Sequence, residues 1–78
     1  MSQSQFHLEV YEPGDTSTVV GSWPCAAPVQ MAVGDVLHTA LLQPDELPRH
    51  LKVTHIEHAM WLRDGWLAHK LMVFTELV

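Results

Sequence analysis

Basic residues are scarce in this sequence. Four Lys and Arg stand against nine Asp and Glu, which gives a formal net charge of −5, and no basic run occurs anywhere along the chain. Proteins that hold nucleic acid by its backbone neutralise successive phosphates with clustered Lys and Arg. We therefore predict that nucleic acid is not a partner of this protein.

Cysteine and long apolar runs are also scarce. The single cysteine, Cys25, cannot form a disulfide within the chain, and the first residues, Met-Ser-Gln-Ser-Gln, lack the positive start and apolar core of a secretion signal. His, Lys, Asp or Glu interrupts every apolar run in the C-terminal half, so no stretch approaches the roughly 20 apolar residues that span a bilayer. These features predict a cytoplasmic protein with no membrane partner.

What the chain does contain is a high apolar fraction in a short length, with 47 % hydrophobic residues among 78. Burial in so small a domain barely offsets the conformational entropy that folding removes. Further burial in an assembly would help, so we predict a homo-oligomer, in the simplest case a dimer. Residues 1–4 are polar and predicted to be disordered, and residues 5–78 are predicted to form one small β domain.

The strongest structural signal is the segment 51–78, where two alternating runs meet at Asp64-Gly65. This dipeptide favours a tight reversal, so the segment is predicted to form a long β-hairpin. A two-residue turn would pair residues whose numbers sum to 129, whereas a three-residue turn that includes Arg63 would shift the pairing by one. In the two-residue register, one face is predicted to be core: Ile56, His58, Met60, Leu62, Leu67, His69, Leu71 and Val73.

Two shorter strands are predicted near the N-terminus. Alternation from Phe6 to Tyr11 predicts the first, and a turn at Pro13-Gly14 leads to the second over residues 16–20. The stretch 23–28 contains two prolines, each of which removes a backbone donor. That stretch is therefore predicted to be a connection or a sheet edge.

The middle of the chain completes the predicted fold. Extended structure is predicted over residues 29–33 and 36–42. At most one short helical turn is predicted near residues 44–50, because Pro44 suits the first helical position and Pro48 stops extension. The fold class is all-β: an antiparallel, strongly bent sheet or SH3-like barrel of about five strands that ends in the long hairpin.

Histidine is enriched, with six in the chain, and three of them, His55, His58 and His69, fall on the hairpin. They suggest a zinc or other transition-metal site, completed by Cys25, His38 or Glu57. No ligand spacing here is diagnostic, and the odd separation of His55 from His58 would point their rings to opposite faces of a strand. Scattered, solvated histidines are the alternative interpretation.

Large apolar residues on the second hairpin face suggest a binding surface. That face is predicted to carry His55, Glu57, Trp61, Trp66, Lys70, Met72, Phe74 and Glu76. Aromatic residues are enriched at the energetic centres of interfaces, so Trp61, Trp66, Met72 and Phe74 are the predicted interaction residues.

No enzyme signature is present, since the sequence has no phosphate loop, Gly-x-Ser-x-Gly or His-Glu-x-x-His, and no catalytic residue is predicted. The leading hypothesis is a non-catalytic module for self-association or for binding another protein. The alternatives are a metal-binding protein and a small enzyme with its site at a subunit interface.

Overall fold

A computed structural model of the protein describes residues 6–40 and 42–78. Its strands are β1 (Phe6–Tyr11), β2 (Val19–Cys25), β3 (Val36–His38), β4 (His50–Arg63) and β5 (Trp66–Leu77). They form one five-stranded sheet in the order β2-β1-β5-β4-β3, curled into a half-barrel. The all-β fold class is confirmed. The segment 1–4, predicted to be disordered, lies outside the described residues.

The described part of the chain contains no helix, and hence none there that could cross a membrane. Residues 44–50, where at most one short helical turn is predicted, contain no helix: a turn and bend cover residues 44–46, and β4 begins at His50. β3 ends at His38, earlier than predicted, because the chain turns at Thr39. The Thr39 carbonyl accepts hydrogen bonds from the amides of Leu42 and Gln43, which closes this turn.

The C-terminal hairpin has the predicted two-residue turn. Arg63 pairs with Trp66, so the two residue numbers sum to 129, and this register holds back to His55. Asp64 and Gly65 have φ values of 50° and 82°. Two consecutive positive φ values define the type I′ turn, whose twist matches that of the flanking strands. The alternative three-residue turn is therefore wrong.

The sheet is mixed, which differs from the antiparallel sheet predicted. β1 pairs antiparallel with β2, although β2 covers Val19–Cys25 rather than the predicted residues 16–20. The other neighbour of β1 is β5, with which it pairs in parallel. Alternation of apolar residues shows that a strand is half-buried but does not show the direction of its neighbour. β2 forms one edge of the sheet and carries Pro24, in agreement with the prediction that residues 23–28 lie at an edge or in a connection.

The core lies on one face of the sheet, here called the core face. Its buried side chains are Leu8, Val10, Leu51, Val53, Leu71 and Val73. Trp23 packs against them from β2, and its ring lies so close to Gly21 that a Cβ there would overlap a ring carbon. The strand predicted over residues 29–33 does not form. Val29 and Met31 instead pack against the core from an irregular segment, so their alternation reflects side-chain burial without strand pairing.

Candidate interaction surface

Within the described residues, the hairpin extends past both strands that flank it. β1 pairs with β5 only over His69–Val73, and β3 pairs with β4 only over His50–Lys52. Neither flanking strand continues beside the hairpin toward its turn within the described ranges, 6–40 and 42–78. Residues 60–67, here called the hairpin tip, therefore project from the body of the sheet.

The hairpin tip exposes large apolar side chains. Met60 is 61 % exposed, Leu62 75 %, Trp66 65 % and Leu67 55 %. Met60, Leu62 and Leu67 belong to the face predicted to be core, and that prediction is wrong for them. It is right at the base of the hairpin, where Leu71 and Val73 are buried. The difference arises because the core face is covered at the base and, as far as the described residues show, is open at the tip.

The backbone of β4 offers hydrogen-bonding groups beside these side chains. In a two-residue hairpin the residues that flank the turn form a hydrogen-bonded pair, and such pairs then alternate along the strands. Arg63 forms such a pair with Trp66, so Trp61 and Ala59, two and four residues earlier, also form backbone hydrogen bonds with β5. The alternate residues between them have backbone amide and carbonyl groups that point away from β5. These residues are here called the β4 edge: Ile56, His58, Met60 and Leu62.

The β4 edge has no partner in the described part of the chain. The last outward contacts of β4 are at Val53, whose amide donates to Asp35 and whose carbonyl accepts from Gly34. A bulge between Val53 and His55 follows, and beyond it β4 pairs with β5 alone. Soluble proteins commonly protect a long edge with lysine, proline or bulges. From His55 to Arg63 there is neither lysine nor proline, and the pairing with β5 has no further bulge, so this edge is open to another strand.

The predicted interaction residues fall into two groups on the other side of the sheet, the outer face. Trp61 is half-buried between His7 and Arg63. The centroids of the His7 and Trp61 rings are 6.3 Å apart, and the Arg63 guanidinium carbon lies 5.8 Å from the Trp61 ring centroid. Trp66 is mostly exposed. Met72 and Phe74 are half-buried and help to line a shallow, open depression of about 530 Å³ near the β4 bulge. Along β5, the tryptophan at the tip is separated from Met72 and Phe74 by Ala68 and Lys70.

The hairpin histidines divide between the two faces. His58 Nδ1 lies 2.8 Å from His69 Nε2 on the core face, with the rings stacked, which agrees with their predicted placement on one face of the hairpin. His55 lies on the outer face, with its Nε2 3.4 Å from Glu57 Oε1. The other suggested ligands lie elsewhere: Cys25 in β2 and His38 in β3. In the described residues no three potential ligands converge, and the metal site stays a prediction.

A polar cluster on the outer face was not anticipated from the sequence. The Tyr11 hydroxyl donates a hydrogen bond to Glu9 Oε1, and Lys70 Nζ lies 3.6 Å from the same oxygen. The hydrogen bond to Glu9, then burial, then the negative charges of Glu9 and Glu57 raise the pKa of Tyr11 from 10.0 to about 12. The only sequence signal was the alternation that places Glu9 and Tyr11 on the same side of β1.

Tyr11 is the only tyrosine in the chain, so its titration can be followed by ultraviolet absorbance. We expect a midpoint near pH 12 in the folded protein. Because the folded pKa lies above the unfolded value, this group's contribution to stability is complete below about pH 10 and is lost as pH rises through about 12. Glu9→Gln should move the midpoint down, and the exposed Glu76→Gln should not. A wild-type midpoint near 10, with circular dichroism showing a folded protein, would contradict this assignment.

A second unanticipated polar contact fixes the entry into β4. Arg49 Nη2 lies 3.1 Å from Glu12 Oε2 and 2.9 Å from Gln43 Oε1, and the Arg49 amide donates to Thr39 Oγ1 at 2.8 Å. These contacts tie the loop that precedes β4 to the end of β1. Their role is positional, since they hold the base of the hairpin against the sheet.

This chain matches none of the known protein families, none of the curated proteins and none of the solved structures with which it was compared.

Proposed function

We propose that this protein is a non-catalytic, cytoplasmic interaction module that accepts a β-strand from another chain at the β4 edge. The observation that carries the proposal is the coincidence, on one hairpin, of an open strand edge with exposed apolar side chains. The single free cysteine is in keeping with a reducing compartment.

Strand addition suits this surface because it satisfies both kinds of exposed group at once. Main-chain hydrogen bonds to the incoming strand would pair the outward amides and carbonyls, and its alternate side chains would lie beside those of β4. Met60 and Leu62, both largely exposed, would be partly removed from water on the core face. Trp61 would line the outer face of the same junction, where an aromatic side chain contributes most to binding energy.

Amide hydrogen exchange tests whether the edge is available. In dilute protein we expect the amides of the β4 edge to exchange rapidly, whereas those of Ala59 and Trp61, which bond to β5, exchange slowly. Slow exchange at the β4 edge in dilute, monomeric protein would show that the chain covers its own edge. That result would overturn the proposal.

Leu62→Lys tests whether association uses this edge. A lysine there places a charge and a solvated side chain beside the incoming strand, so we expect self-association, measured by sedimentation equilibrium, to weaken about tenfold or more. Leu47→Lys is the matched control, since Leu47 is 87 % exposed in the loop before β4, and it should change nothing. A chelator is present throughout, so that a metal bridged by histidines cannot cause the association. Association that Leu62→Lys leaves unchanged would place the interface elsewhere.

A further inference from the structure

Building on the proposed function, we propose that the strand added at the β4 edge is β4 of a second copy, antiparallel and centred on Met60. The result is a two-fold symmetric dimer in which the two five-stranded sheets join edge to edge. A contact of this kind is self-complementary, so each residue pairing occurs twice.

The direction of the backbone groups restricts the possible registers. In an antiparallel pair, a residue whose amide and carbonyl point toward the partner strand must face a residue that does the same. Pairing Met60 with Met60 of the second copy satisfies this rule. It also sets His58 opposite Leu62 of the second copy, and both belong to the β4 edge.

Charge selects this register among those that the backbone allows. Because 57 and 63 sum to twice 60, centring on Met60 places Glu57 opposite Arg63 of the second copy, twice per dimer. Across the proposed junction, Glu57 and Arg63 form a non-hydrogen-bonded pair, which is the kind of pair in which facing side chains lie closest. A register centred on Ala59 would instead place Glu57 opposite Trp61 of the second copy. Centring on His58 would face Arg63 with Val53, whose outward groups are already bonded.

The two charged groups are free to form this pairing. Among the residues that the structure describes, Glu57 has an ion-pair contact only with a histidine, His55, and Arg63 has no carboxylate partner. The Glu57 side chain is 54 % exposed. The other close ion pairs, Arg49 with Glu12 and Lys70 with Glu9, lie outside the hairpin tip. The chain carries a net charge of −5, which opposes self-association, so two attractive pairs at the junction offset part of that repulsion.

The same register also fits the outer face sterically. Trp61 lies opposite Ala59 of the second copy, so a large ring faces a small side chain across the junction. Registers centred on Trp61 would bring two tryptophans face to face and leave Glu57 opposite the turn residue Gly65. The register centred on Met60 therefore combines paired backbone groups, paired charges and complementary side-chain sizes.

Charge exchange tests the register. Glu57→Arg and Arg63→Glu each place like charges opposite one another twice, so each variant alone should self-associate about tenfold more weakly than wild type. An equimolar mixture of the two variants should form a mixed dimer with affinity near that of wild type, because both pairs are again opposite in charge. The double variant E57R/R63E should also associate like wild type. Glu46→Arg, an equal charge change in an exposed loop, is the control.

The outcomes separate this inference from the proposed function. If wild type associates and Leu62→Lys weakens it, but the two charge variants associate normally, the register is wrong and the β4 edge remains the binding surface. If wild type stays monomeric with rapidly exchanging edge amides, the second copy is not the partner. If those amides exchange slowly in the dilute monomer, both proposals fail together.

Discussion

Leu51→Ala is expected to lower the free energy of unfolding by about 2 to 5 kcal/mol. Leu51 is fully buried and lies where three strands meet, paired with Leu37 of β3 and Leu77 of β5. Truncating it removes apolar contacts and leaves a cavity that a sheet bonded on both sides cannot easily close. A domain of this length has only about 4 to 12 kcal/mol in total, so the variant would be marginally stable.

Urea denaturation followed by tryptophan fluorescence measures this loss. Leu47→Ala is the matched control, because it is the same substitution at a leucine that is 87 % exposed, and its effect should stay within about 0.5 kcal/mol. Equal losses at the two positions would show that Leu51 is not in the core.

Features fixed by neighbouring residues could be predicted from the sequence. Asp64-Gly65 determined the turn because both residues tolerate positive φ, and the turn then set the register back to His55. The placement of His58 and His69 on one face, where their rings stack, followed from that register alone. These conclusions depend on backbone preference and a period of two, and both are local properties.

Features that depend on distant segments could not be predicted. Met60 and Leu62 have the same alternation as the buried residues of β5, and their exposure depends on which distant segments lie beside them rather than on their own pattern. The β4 edge is open because β3 is only three residues long. Pairing of β1 with β5 joins residues from opposite ends of the chain. The tryptophans could thus be chosen as candidates for binding, whereas the strand edge could not.

The alternation of backbone groups along β4 leads to opposite expectations for proline at two adjacent residues. The Ala59 amide bonds to β5, where Ala59 pairs with Lys70, so Ala59→Pro should remove a ladder hydrogen bond and destabilise the protein by about 3 kcal/mol or more. The Met60 amide points outward, and proline is tolerated at a sheet edge when its missing donor faces solvent. Met60→Pro should therefore fold and lose self-association.

Circular dichroism and urea denaturation report the fold of each proline variant, and sedimentation equilibrium reports its mass. Met60→Ala removes the same side chain but keeps the backbone amide. If Met60→Ala still associates and Met60→Pro does not, the difference is due to the hydrogen bond that the amide donates. Equal loss of stability at Ala59 and Met60 would mean that the two amides do not point in opposite directions. Full self-association of a folded Met60→Pro would mean that the copies meet at another surface. Both expected results together would show that the same strand holds the hairpin with one side of its backbone and binds with the other.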